Sequence, residues 1–223
     1  MKKTLLNIAL TSLIASTAIV STQAAAVEGL SANVAATSNY LWRGLEQTGG
    51  KAAISGGIDY ASDSGFYVGT WASTADWADG MTYELDFYGG FGGDISDGIS
   101  YDVGFIYFAY PDETSGDAGF SEVYGSVSFD TLTLGVAVLT SGEGADAGDT
   151  IYATADYAIA LSNEAELALH LGSYTGDWLA DESVDYGVSL SKSGFTFGAS
   201  KTDLDGGAGD LKVYVSYSVD IDL

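Results

Sequence analysis

The chain lacks cysteine altogether and has one proline, Pro111, among its 223 residues. Disulfide bonds therefore cannot hold the fold together, which excludes a small disulfide-stabilised scaffold. Pro111 lies in a predicted loop, where its missing N–H group removes no hydrogen bond from a sheet. Backbone pairing and side-chain packing must stabilise the fold.

Basic residues are also scarce, with seven Lys and Arg against 31 Asp and Glu, for a formal charge of −24. Such a surface repels nucleic acid and anionic lipid, so no nucleic-acid partner is expected. High net charge with few apolar residues would indicate disorder, but 47% of the residues are hydrophobic and 13% are aromatic. That content predicts a folded chain.

Long apolar runs are absent after the first residues. Lys2 and Lys3 precede an apolar stretch at 5–20 and the small residues 24–26, which predicts a cleaved signal peptide over 1–26, with an uncleaved anchor as the alternative. The mature chain would be one domain, 27–223, with a charge of −26 and five basic residues. No later stretch reaches the roughly 18 apolar residues of a spanning helix, so any later membrane segment must be a strand.

Two-residue alternation of apolar with small or polar side chains dominates the mature chain, and Gly, Asp and Ser clusters separate the runs. The runs begin near Leu30, Ala52, Phe66, Met81, Ile99, Val123, Leu132, Ile151, Ala165, Val184, Phe195 and Leu211. About twelve strands follow, an even number with one apolar and one polar face. This predicts an all-β fold, a single transmembrane antiparallel up-and-down β-barrel.

The connections between the runs alternate in length, as in outer-membrane barrels, whereas a soluble β-sandwich has no reason to do so. Long acidic connections lie at 43–50, 73–80, 111–119, 141–149, 174–183 and 202–210, and short ones at 61–64, near 130, at 160–163 and at 191–194. Residues 92–98 form the longest predicted short connection. Because barrel width grows with strand number, twelve strands predict a narrow or partly plugged pore.

Four segments, 38–44, 54–60, 65–73 and 83–90, resemble the TorF family of porins. The resemblance implies a barrel in the outer membrane of a Gram-negative bacterium, in contact with lipid and inserted by the barrel-assembly machinery. It implies a transport role and carries no catalytic residues; whether identical barrels assemble stays open. One departure is the last residue, Leu223, where many such barrels end in an aromatic residue.

Acidic residues are the main functional indication. The inner face of the predicted strands carries one base and one histidine among carboxylates: Asp59, Glu84, Asp86, Asp102, Glu122, Asp156, Glu166, His170, Asp185 and Lys212. A negative lumen favours cations, so we expect passive, porin-like passage of small hydrophilic solutes, cations preferentially. The alternative is that the acidity is a general surface adaptation. No cofactor or metal is expected, since the acidic segment 203–210 lacks the spacing of a calcium loop.

Three further interpretations concern single residues or the whole barrel. Arg43 is predicted to pair with loop or lumen acids and fix a constriction, or to neutralise crowded charge. His170 is the only histidine, and a barrel hydrolase would need it as a base. A non-conducting structural or adhesive barrel is the other alternative.

Aromatic residues near strand ends are predicted to form interfacial girdles: Tyr40, Trp42, Phe66, Trp71, Tyr83, Phe129, Tyr157 and Tyr217.

Overall fold

The computed structural model describes residues 28–114, 118–176, 178 and 180–223, so the predicted signal peptide lies outside the described residues. Twelve strands form a closed antiparallel barrel, and a separate two-stranded hairpin is made by β2 and β3. The strands are β1 Leu30–Thr37, β2 Leu41–Trp42, β3 Leu45–Glu46, β4 Ala53–Ala61, β5 Phe66–Thr74, β6 Tyr83–Ser96, β7 Ile99–Ala109, β8 Phe120–Phe129, β9 Leu132–Gly142, β10 Ile151–Ala160, β11 Glu166–Thr175, β12 Ser183–Lys192, β13 Phe195–Thr202 and β14 Lys212–Asp222. A short 3-10 helix, Gly206–Gly209, precedes β14.

Closure joins the first strand to the last. β1 pairs with β4 on one side and with β14 on the other, where Ala35 lies opposite Ser218. The N–H group of Leu223 donates to the carbonyl oxygen of Leu30 at 3.1 Å, which extends the seam by one bond. A sheet loses its edges only by closing, and this satisfies every strand without water. The predicted barrel of about twelve strands is confirmed.

The two faces of the strands differ as the alternation predicts. Apolar side chains cover the outside, and Ile54 and Val213 there are 67% and 68% exposed. The opposite positions are small or polar and point inward, as Ser55, Thr202 and Ser216 do. Among the described residues, no helix combines the length and hydrophobicity needed to cross a bilayer.

The short connection predicted at 92–98 is wrong. β6 runs on to Ser96 and turns into β7 through residues 97 and 98, with a bulge between Asp94 and Ser96. Gly92 and Gly93 are ordinary strand residues here, paired with Asp102 and Tyr101. Glycine was read as a turn signal in a strand that simply carries small side chains.

Glycines on the inner face receive tyrosine rings from the neighbouring strands. Gly69 pairs with Tyr88, Gly90 with Tyr67, Gly104 with Tyr124 and Gly198 with Tyr214. A β-carbon added at any of these four glycines would collide with the ring of its tyrosine partner. The rings therefore lie over the glycines, against the wall of the barrel.

Replacing Gly198 by alanine tests this packing. A methyl group at Gly198 would meet only Tyr214 atoms among its three nearest neighbours, so we expect Gly198→Ala to lower the free energy of unfolding by about 1–3 kcal/mol. The urea midpoint, read from the altered gel migration of the folded barrel, measures the change. Gly125→Ala is the matched control, because its nearest contacts would be at an ordinary 3.5 Å. Equal midpoints for the two variants would contradict the packing.

Candidate functional site

The connection between β1 and β4 enters the barrel. It was predicted as an outward loop at 43–50, but β2 and β3 form a hairpin whose two-residue turn consists of Arg43 and Gly44, at φ +49° and +77°. Two successive residues with positive φ suit a tight hairpin turn. We call residues 39–48 the lumen hairpin. Its tip lies against β12 and β13, because a β-carbon on Gly44 would meet Asp185 and Thr202.

The aromatic residues of the lumen hairpin pack inside the barrel. Tyr40 and Trp42, and Trp71 on the wall, are buried, so the prediction that these three belong to the lipid interface is wrong. Trp42 contacts Phe108 and Phe120 edge-on at 6.1 and 6.0 Å between ring centroids. The other predicted girdle residues do face outward: Phe66, Tyr83, Phe129, Tyr157 and Tyr217. The inward turn of the chain, which sequence alternation does not encode, explains the difference.

This packing creates an apolar core within an otherwise polar lumen. Phe108 stacks on Phe120 at 4.4 Å, and Ile106 and Leu139 join the same cluster. These residues explain why β7 and β9 are apolar on both faces at the ends where the long loops attach. The lumen hairpin is thereby fixed to the wall formed by β5 to β9.

Two acids at the start of β6 lie beside the base of the lumen hairpin. Glu84 accepts hydrogen bonds from the hydroxyls of Tyr40 and Tyr110, both at 2.8 Å. Burial and the Glu84 carboxylate raise the pKa of Tyr40 well above its usual value, so Tyr40 remains a donor. Asp86 is fully buried, and among the described residues neither of its carboxylate oxygens has a hydrogen-bond partner.

Arg43 at the hairpin tip meets the opposite wall. Its Nη2 lies 2.6 Å from Oε2 of Glu122, and the two side chains are 6% and 4% exposed. The guanidinium carbon is 4.1 Å from the ring centroid of Trp42, 4.3 Å from that of Tyr152 and 5.7 Å from that of Tyr174. The structure thus pairs Arg43 with a lumen acid, from a turn that lies inside the barrel.

His170 lies on the wall next to the hairpin tip. Its Nδ1 is 2.6 Å from Oδ1 of Asp156, and its Nε2 is 2.9 Å from Oδ1 of Asp185 and 3.0 Å from the Tyr152 hydroxyl. Tyr152 also donates to Oδ2 of Asp185 at 3.0 Å. Both ring nitrogens are engaged by carboxylates, so neither is free to accept a proton from a nucleophile. This geometry does not suit a hydrolase.

The other inward acids have tyrosine or asparagine partners or face the lumen alone. Asp102 accepts from Tyr67 at 2.8 Å, and Asp59 accepts from Tyr88 and from Asn33. Glu166 is exposed at the end of the barrel where the short turns lie. Among the described residues, no group of three or more His, Cys, Asp and Glu side chains is arranged to hold a metal ion.

The inward bases are bound by other groups. Lys212 donates from Nζ to the carbonyl oxygens of Gly207, Ala208 and Asp210 at 3.1, 2.6 and 3.2 Å. Arg43 is bound to Glu122. In the described part of the chain, therefore, both bases that point into the barrel are held by local partners.

Sequence reasoning missed Tyr152, Tyr174 and the inward role of Trp42. Tyr152 and Tyr174 stand on the polar parity of their strands and pair directly across β10 and β11. A large aromatic residue among small polar inner positions was a usable signal. For Trp42 there was none, because a tryptophan near a strand end is also typical of a membrane interface.

The sequence matches, over residues 21–221, a family described as "Bacterial protein of unknown function (Gcw_chp)". The chain belongs to the Gcw_chp family. No curated protein matches it in sequence. The described fold and the lumen hairpin are therefore those of a Gcw_chp protein.

Solved structures of porins share this barrel fold. The KdgM porin superposes with a TM-score of 0.56 at 10% identity, covering 86% of this chain and 99% of that one. The "KdgM porin in complex with disordered oligogalacturonate" gives 0.56 at 9% identity, covering 87% and 98%. The NanC porin gives 0.50 at 11% identity, covering 86% and 97%. At such low identity the likeness establishes the barrel fold alone.

Breaking the ion pair at the hairpin tip should destabilise the barrel far more than breaking one outside it. Glu122→Gln leaves the buried guanidinium without its counter-charge, so we expect the free energy of unfolding to fall by about 3–5 kcal/mol. Lys51 and Asp76 form the matched exposed pair, at 71% and 51% exposure. We expect Asp76→Asn to cost at most about 1 kcal/mol. Urea unfolding of both variants measures the two losses, and similar losses would contradict the role of the Arg43 ion pair.

Proposed function

We propose that the chain is an outer-membrane channel through which small hydrophilic solutes diffuse passively, cations preferentially. The observation that carries the proposal is a closed barrel that is apolar outside and lined inside by carboxylates. Lipid is the solvent that such an exterior requires, and a polar interior admits water. The likeness in fold to the KdgM and NanC porins supports the same conclusion.

The cation preference rests on the balance of inward charges. Arg43 and Lys212 are held by Glu122 and by backbone carbonyls, whereas Asp59 and Asp102 are bound only by neutral donors. Carboxylates facing a pore attract cations and repel anions. The KdgM porin has been solved with oligogalacturonate, whose units carry carboxylates; an acidic lumen does not favour a solute of that charge.

The lumen hairpin defines where solutes would pass. Aromatic packing fixes it against β5 to β9, and its tip contacts β8 and β10 to β13. Beyond the tip, towards the short turns, the inward residues of β10 to β12 are small and half-buried, such as Ala158, Ala168, Gly187 and Ser189. A twelve-stranded barrel is already narrow. The hairpin tip, with Arg43, therefore forms the constriction in this proposal.

The proposed location is the outer membrane of a Gram-negative bacterium, after removal of residues 1–26 as a signal peptide. The leader pattern and the TorF resemblance support it, together with the apolar exterior of the barrel. Outer-membrane lipid and, during insertion, the barrel-assembly machinery would be the partners. The mature domain would be 27–223.

A non-conducting barrel that displays acidic loops is the second candidate. The observation that favours it is the aromatic core inside the lumen, which fills one side of the barrel where the long loops attach. A barrel closed in this way would act through its outer surface. Electrical recording separates the two candidates.

We expect the folded protein to give single-channel currents in a planar bilayer, with a reversal potential in a salt gradient that has the sign of cation preference. Removing charge with Asp59→Asn and Asp102→Asn together should shift the reversal potential towards zero, since these acids face the lumen. Asp205→Asn, in the loop before the 3-10 helix, serves as the control and should leave it unchanged. Anion preference in the wild type would refute the charge argument.

Replacing residues 39–48 by a short Gly-Ser linker should raise the single-channel conductance, because it removes the constriction and its aromatic packing. The same bilayer recording measures the change, and a circular dichroism spectrum unchanged in its β signature shows that the barrel remains folded. If neither the wild type nor this variant conducts, the non-conducting candidate replaces the channel.

A further inference from the structure

The residues around the Arg43 guanidinium have the composition of a cation-binding site. Glu122 on β8, Tyr152 on β10 and Tyr174 on β11 belong to the barrel wall, and we call these three residues the wall cage. We propose that the wall cage binds solutes carrying a guanidinium group, and that Arg43 of the lumen hairpin occupies it as an internal ligand. The binding site stands on its own geometry; its part in transport rests on the proposed channel function.

The contacts match the two interactions that recognise guanidinium. The Glu122 carboxylate accepts a charge-assisted hydrogen bond at 2.6 Å. The Tyr152 ring supplies an aromatic face at 4.3 Å, and Tyr174 a second one at 5.7 Å. A planar guanidinium stacks on aromatic faces while it pairs with a carboxylate. With Glu122 and both tyrosines almost fully buried, both interactions act where water screens them little.

The wall itself holds an essential part of the cage in place. The Tyr152 hydroxyl is bound by Asp185 and His170, and Asp156 binds the opposite nitrogen of His170. Tyr152 and Tyr174 are direct partners across β10 and β11. None of these contacts involves the lumen hairpin, so the Tyr152 ring keeps its orientation when Arg43 leaves.

Arg43 does not use all of its donors in the cage. Among the described residues its Nη1 has no hydrogen-bond partner, although the side chain is buried. An unpaired buried donor costs free energy. The cage therefore binds Arg43 less tightly than it would bind a guanidinium whose donors were all paired. A free guanidinium solute is not tied to the hairpin backbone and can turn its donors to better partners. By displacing Arg43 it would release the hairpin tip from the wall.

The test uses the full chain, folded in detergent, with methylguanidinium as the ligand. Calorimetry should show binding to Arg43→Ala at least about tenfold tighter than to the wild type, because in the wild type Arg43 competes for the cage. Arg43→Ala with Glu122→Gln should lose this binding, and Arg43→Ala with Tyr152→Leu should weaken it several-fold. Tetramethylammonium, which cannot donate hydrogen bonds to Glu122, is the matched control ligand and should bind more weakly.

A second readout is the stability of the variant. Millimolar methylguanidinium should raise the urea midpoint of Arg43→Ala towards that of the wild type, and should not do so in the double variant with Glu122→Gln. If Arg43→Ala does not fold, Arg43→Gln keeps most of the side-chain volume and takes its place. Equal affinity for the wild type and the variant, or no binding to either, would overturn the proposal.

The binding test and the conduction test can fail independently of each other. Methylguanidinium binding by a barrel that never conducts would leave the cage intact and refute the channel. A conducting barrel whose Arg43→Ala variant does not bind methylguanidinium would support the channel and refute the cage. With both present, methylguanidinium added to the wild type should raise the conductance, and the same addition should not change that of Arg43→Ala.

Discussion

Every backbone N–H and C=O group of a sheet in lipid must find a partner within the protein, and this constraint determines the rest of the molecule. Closure between β1 and β14 meets it. Because the sheet closes, each strand has one face towards the outside of the barrel and one towards a confined interior, and the two-residue alternation follows from that. The fold then needs no disulfide bonds, because every strand of the closed barrel is hydrogen-bonded to a neighbour on each side.

Closure also creates an interior in which polar groups must be accommodated. The chain does this by laying tyrosine rings over glycines of adjacent strands and by directing their hydroxyls to carboxylates, as Tyr67 does to Asp102 and Tyr88 to Asp59. A ring held against the wall takes up little of the lumen. The glycine content of the chain, which in a soluble protein would indicate turns, is in part the space that these rings require.

Sequence alternation was enough to predict the barrel and its strand number, because parity alone decides which face a strand residue occupies. It was not enough for the lumen hairpin. Arg43 and Gly44 have the composition of any tight turn, and Tyr40 and Trp42 have that of a membrane interface. What sends them inward is the apolar inner surface of Ile106, Phe108 and Leu139, which belongs to strands 60 to 100 residues away. The only sign of this contact in the sequence is that β7 and β9 carry apolar residues on both faces.

The ion pair between Arg43 and Glu122 links positions 79 residues apart, and neither member is suited to its place without the other. A carboxylate at the position of Glu122, buried and facing an aromatic core, would by itself be costly in free energy, and so would a buried guanidinium. The wall therefore carries a charge that only an inserted cation satisfies. The cage residues stand on strands of the barrel wall, whereas Arg43 stands on a turn that is not part of the barrel sheet. The wall side of the pair therefore stays in place when another cation takes the position of Arg43. An acidic lumen with one such preformed position can distinguish among cations by shape as well as by charge.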